Sequence, residues 1–129
     1  MSHPRATPTR RLPQHVLREF VAAELRTLCP GEDVLTEYRF HPVRQWRFDL
    51  AVPTLRIAVE WQGFWAGGHG GAVGFYADCA KFCAAAAEGW LLFPVPYRMA
   101  RDDMTGLRTL LRQAVERRRA GDGPGRRTQ

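Results

Sequence analysis

Lysine is almost absent from this 129-residue chain. Lys81 is the one example, against eighteen arginines. Long apolar runs are missing as well. None approaches the ~20 residues needed to cross a bilayer, so no membrane partner is expected. Cysteine is scarce: only Cys29, Cys79 and Cys83 occur. An odd count without a signal-peptide pattern argues against a secreted disulfide framework and for a reducing, cytoplasmic setting. Cys79 and Cys83 stand four apart, but no second Cys/His pair at a recognisable spacing accompanies them. A zinc site is therefore not expected, and small buried apolar side chains are the better description of the pair.

What is present is basic. Nineteen basic residues against thirteen acidic ones give a net charge of +6. An arginine-for-lysine coding bias explains the ratio of the two residues but not the net charge. Guanidinium groups bind phosphate in a bidentate fork and stack on bases, so a polyanionic partner is expected.

The length and the 45% hydrophobic content fit one domain with one core. Residues 1–12 and 120–129 are Pro-, Gly-, Thr- and Arg-rich and are expected as flexible basic tails around a domain at 13–119. Helical periodicity runs from about 13 to 29. Leu17, Phe20, Val21 and Leu28 fall on one stripe, with Glu24 near its centre and Val16 and Leu25 at its edges. Pro30-Gly31 ends it. Extended runs follow at about 34–41, 46–52 and 55–61. A Gly-rich loop covers 62–74, a helix about 75–89, and a short strand 90–95. A last helix at about 102–119 is opened by Asp102 or Asp103 and closed by three arginines. The order α-β-β-β-α-β-α predicts an α/β fold, a mixed sheet with helices packed on it.

Two acids stand inside the apolar runs, Asp49 in WRFDLAV and Glu60 in LRIAVEW. A hairpin turning at Pro53-Thr54 would set Asp49 opposite Ala58 and Arg47 opposite Glu60. Alternation then places Arg47, Asp49, Ala51, Arg56, Ala58, Glu60 and Gln62 on one face. Trp46, Phe48, Leu50, Val52, Leu55, Ile57, Val59 and Trp61 form the apolar face. Asp49 and Glu60 become diagonal neighbours, ~7–8 Å apart at the backbone. Two readings follow from this spacing. The carboxylates converge on one hard cation, Mg²⁺ or Mn²⁺, or Glu60 pairs across the strands with Arg47 and Asp49 is solvated.

The stretches EYRFHPVRQWRFDLAVP, AVEWQGFWAGGH and GFYADCAKFCAAAAEGWLLF together resemble the PD-(D/E)XK nuclease superfamily. The similarity is greatest to the branch of very-short-patch repair endonucleases and small phage or bacterial endonucleases. It covers about residues 36–95. The resemblance implies a restriction-endonuclease-like αβββαβ core with a C-terminal helix added, in a protein of the bacterial or phage-host cytosol. It implies a Mg²⁺- or Mn²⁺-dependent endonuclease acting on DNA, of a structure-specific kind such as cleavage of mismatched or branched junctions, and a possible homodimer.

Carried over residue by residue, Asp49 and Glu60 are the metal ligands, with the carbonyl of Trp61 assisting. Gln62 stands where the family commonly has lysine. An amide cannot supply a positive charge, but it can orient a water. Lys81 fits a lysine displaced onto the following helix. On a helical wheel it points away from Phe75, Cys79 and Phe82, so an exposed residue pairing with Asp78 is the other reading. His69 matches a loop histidine that serves as general base or phosphate contact, or is a surface residue of a Gly-rich lid. Glu24 is the candidate extra carboxylate, with Glu37 its competitor. Arg39, Arg44, Arg47 and Arg56 are candidates for flanking phosphates, and Trp65 for shaping a DNA groove. Gln62 also admits a catalytically inactive nucleic-acid-binding module on a nuclease fold. A protein-interaction domain with an incidental basic surface is a third possibility.

Overall fold

The computed structural model of the protein describes residues 12–62 and 71–121. His69 and Trp65, and the two tails but for Leu12, Ala120 and Gly121, lie outside them. Among the described residues eight elements follow in chain order: α1 (Gln14–Leu28), β1 (Leu35–Arg39), β2 (Arg47–Val52), β3 (Ile57–Gln62), α2 (Gly71–Ala87), β4 (Leu91–Pro96), α3 (Tyr97–Asp102) and α4 (Met104–Arg119). The four strands form one mixed sheet in the order β1-β2-β3-β4. The first three are antiparallel and β4 runs parallel to β3. The fold is α/β, with helices on both faces of the sheet.

The expected elements form, with shifted boundaries. The β2–β3 turn spans four residues, not two. Leu55 and Arg56 belong to it, closed by the Leu55 N–H on the Val52 carbonyl (3.1 Å) and the Arg56 N–H on the Pro53 carbonyl (3.2 Å). Arg56 takes up the left-handed backbone this needs, at φ 51°. The register becomes Leu50–Val59, Ala51–Ala58 and Val52–Ile57. A slip of two residues keeps side-chain parity, because alternation has period two. The expected final helix forms as α4, and a short helix not expected from the sequence, α3, precedes it. Asp103 stops α3 and caps α4, its carboxylate accepting the Gly106 N–H at 3.2 Å.

One core layer packs α1, α3 and α4 on the sheet. It joins Leu17, Val21, Ala22 and Leu25 to Leu50, Val52, Ile57, Val59, Trp61 and Val95, and to Leu107, Leu111 and Val115. The α1 stripe is turned relative to the expected one. Phe20 is half exposed, and Glu24 sits at the edge of the buried face. The second layer, under α2, joins Phe48, Ala51, Ala58, Ala85 and Trp90. Phe48 therefore belongs to the opposite face from Leu50, with which parity had grouped it. Strand alternation slips at Asp49. There Glu37, between the pairs Thr36–Leu50 and Tyr38–Phe48 of the neighbouring strand, has φ 50°. A bulge-like distortion of this kind re-aims side chains locally.

The α2 end of the sheet is tied by arginines. Arg56 donates to the Glu88 carbonyl at 2.8 Å, and Arg118 of α4 donates to the Gly89 carbonyl at 2.6 Å. These carbonyls lie past the negative end of the α2 dipole, where cations are favoured.

Candidate functional site

The β2–β3 ladder stops at Leu50–Val59. One step further, where the strands part, Asp49 and Glu60 face each other directly rather than diagonally. The Trp61 N–H donates to Asp49 Oδ2 at 2.8 Å. The Asp49 carboxylate thus takes the place of a strand carbonyl and is fixed in the gap between the strands.

Glu60 is buried, with 7% of its surface exposed, and is the one buried acid among the described residues. Its partner is Lys81 of α2, whose Nζ donates to Glu60 Oε1. Arg47 does not reach it, so the cross-strand ion pair weighed above does not form. Burial pushes the Glu60 carboxyl from its ordinary 4.5 up to about 7. The Lys81 hydrogen bond opposes this shift, and the charge and hydrogen bonding of nearby Asp49 add to it. Two carboxyls and one ammonium therefore lie close together, with Glu60 the buried member.

Lys81 points inward, contrary to the helical-wheel expectation. The aromatic side of α2 is the outward one: Phe75 is 71% and Tyr76 77% exposed. The inward side is small, with Ala85 buried against Ala51 and Ala58. Small residues on both surfaces leave room for a lysine stem. The ammonium lies 5.9 Å from the centre of the Phe48 ring, a cation–π distance. Asp78 is exposed, and Lys81 turns to Glu60 instead.

The other candidates separate. Glu24 does not join the acid pair. Both its oxygens are held by Arg108 of α4, at 2.7 and 2.6 Å. The described residues contain no group of three or more His, Cys, Asp or Glu side chains placed to hold an ion. Glu37 is exposed on β1, and Gln62 is half buried at the end of β3 beside Pro96. Arg39, Arg44 and Arg47 surround the β1–β2 connection, at the same end of the sheet as Asp49 and Glu60. Arg56 lies at the other end, four residues before Glu60 and roughly 13 Å along the strand. There its guanidinium is 5.6 Å over the Trp90 ring and bonded to the Glu88 carbonyl, away from the two acids. Of the cysteines, Cys29 is buried, which pushes its thiol up, and Cys83 is exposed. The contact of Lys81 with Glu60 was missed from the sequence. The signal for it was the solitary lysine itself, since an exposed cation in so Arg-biased a chain would more simply be arginine.

Comparison with models of protein families, with curated proteins and with solved structures gives no match to this chain.

Proposed function

We propose that the protein is a metal-dependent endonuclease that hydrolyses DNA phosphodiester bonds, with Asp49, Glu60 and Lys81 at its centre. The observation that carries this reading is the convergence of two carboxylates and the chain's only lysine at the splayed end of β2 and β3. The donor set suits a hard divalent ion. Mg²⁺ is commonly held by one or two carboxylates, with water and substrate phosphate completing its shell. When bound, Mg²⁺ or Mn²⁺ would supply a water of lowered pKa and neutralise phosphate charge.

The chain's own residues set the conditions for that chemistry. The Trp61 N–H holds Asp49 in one orientation. Burial gives Glu60 a reason to take a cation, because an uncompensated buried carboxylate is costly. Lys81 now neutralises Glu60. Were Asp49 and Glu60 to hold a divalent ion, the Lys81 ammonium would be available to stabilise charge building on phosphate oxygens. Gln62, one turn of the pleat beyond Glu60, offers an amide that can orient water but not remove its proton.

The test is cleavage of plasmid and branched DNA with Mg²⁺ or Mn²⁺. Wild-type protein should nick or cut these substrates, and Asp49→Ala should reduce cleavage to background while still binding DNA. Gln62 favours a second reading, a nucleic-acid-binding module without hydrolysis. Salt-sensitive binding by wild type with no cleavage of any substrate would select it.

A further inference from the structure

The connection between β1 and β2 is a preformed cationic tip. No acid occurs between Tyr38 and Phe48. Arg39 and Arg47 are directly opposed in the strand register, and both are exposed. Like charges in directly opposed cross-strand positions destabilise a sheet. Among the described residues neither these two nor Arg44 enters an ion pair. The fold therefore keeps a repulsive pair where a neutral one would serve it better.

The tip is also rigidly braced. The Nδ1 atom of His41 accepts the N–H groups of Val43 (3.2 Å) and Arg44 (2.8 Å). Arg39 Nε donates to the Arg44 carbonyl at 3.3 Å. The Arg44 guanidinium lies 5.2 Å over the Trp46 ring. Trp46 stacks on Phe40 (6.3 Å, 14°), and Phe40 stacks on Phe48 (4.0 Å, 5°). Phe48 in turn contacts Lys81. One aromatic column thus joins Arg44 to the Glu60–Lys81 pair. Arg47 stands two residues from Asp49, roughly 7 Å along β2.

We propose that this tip is a separate phosphate-binding site, in which Arg44 and the opposed pair Arg39–Arg47 grip the sugar-phosphate backbone of a nucleic-acid strand beside the bond held at Asp49 and Glu60. The identity of the polyanion rests on the nuclease reading. Arg44 reaches the strand on the Glu60 side of the sheet, and Arg39 and Arg47 on the reverse side. Stacking on Trp46 fixes the Arg44 plane while leaving its outward N–H groups to the phosphate. Arg56, spent on Glu88 and Trp90, takes no part.

The experiment measures binding of labelled duplex and single-stranded DNA in EDTA across a salt series, so that no cleavage intervenes. The variants are Arg44→Gln, Arg39→Gln/Arg47→Gln and the triple combination. Arg112→Gln/Arg117→Gln on the exposed side of α4 is the control, charge-matched to the double variant. Each lost phosphate contact lowers the slope of log K against log salt by about 0.7–0.9. The triple variant should therefore lose about 2–3 units of slope, and the control less than about one. If wild type binds and cuts DNA while the triple variant keeps its slope and affinity, the tip proposal is overturned and the nuclease reading stands. If wild type binds neither form of DNA, both fall together.

Discussion

Lys81 reaches from α2 onto the sheet to Glu60, so the chain's one lysine neutralises the one buried acid among the described residues. The pair joins elements that are separate in the chain and sits beside Asp49. Its consequences can be read in stability as well as in activity.

Removing the cation should expose the cost of the acid. In Lys81→Met, Glu60 loses its hydrogen-bonded partner and its carboxyl rises beyond about 7. Breaking a buried pair from one side costs about 3–5 kcal/mol when the remaining charge cannot neutralise. Glu60 can take up a proton, so the loss should be about 1–3 kcal/mol at pH 8 and smaller at pH 5. Urea unfolding of wild type and variant at the two pH values measures it. An equal loss at both would show that the pair is not electrostatic in origin.

The Glu60 carboxyl itself predicts a pH dependence. Its folded value of about 7 lies above the ordinary 4.5, so the folded protein binds the proton more tightly than the unfolded chain. The stabilisation is full below about 4.5 and is lost as pH rises through 7. The span corresponds to roughly 3 kcal/mol. The stability difference between wild type and Glu60→Gln should therefore move in favour of the variant from pH 4.5 to 8. Mg²⁺, which needs the ionised carboxylate, should raise wild-type stability more at pH 8 than at pH 5.

The two other carboxylates once in competition can be tested together. Glu24 is clasped by Arg108 at a partly exposed position, where an ion pair is worth about 0–1 kcal/mol. Glu24→Gln should cost no more than that and leave cleavage unchanged. Glu37 holds a left-handed backbone that glycine adopts without penalty. Glu37→Gly should be neutral or stabilising by up to about 1 kcal/mol, also with full activity. A cleavage defect in either variant would place that residue in the site.

The extent to which the sequence announced this arrangement follows from how local each signal was. The α/β class and the order of every element but α3 are legible because helical and strand periodicities are local, and the six residues of α3 are too few to show one. Asp49 and Glu60 came together despite a wrong turn length, since a two-residue slip preserves parity. Phe48 was assigned to the wrong face, because the alternation breaks at Asp49 and no local residue pattern marks the break. For Lys81 the sequence leaves two readings open, because a helical wheel that equates bulk with burial aims it outward. On α2 the bulk is solvent-facing, and the small residues meet the small residues of the sheet. Arg108 as the partner of Glu24 required knowing that α1 and α4 are neighbours.

The cross-strand arginines offer a test that needs no substrate. Arg39 and Arg47 oppose each other directly, and among the described residues neither enters an ion pair. If their retention reflects a ligand rather than the fold, neutralising one should help the folded state. Arg47→Gln should raise the melting temperature at low salt, where the repulsion acts in full, and the gain should shrink toward zero as salt screens it. Screening is strong once the Debye length falls to about 3 Å, near 1 M salt. Arg56→Gln should do the opposite. It removes the guanidinium from the Glu88 carbonyl and the Trp90 ring, a loss of about 1 kcal/mol or more that salt will not restore. Thermal melts of both variants across a salt series separate an arginine kept for binding from one kept for structure. A melting temperature lowered by Arg47→Gln at low salt would show that the tip arginines serve the fold.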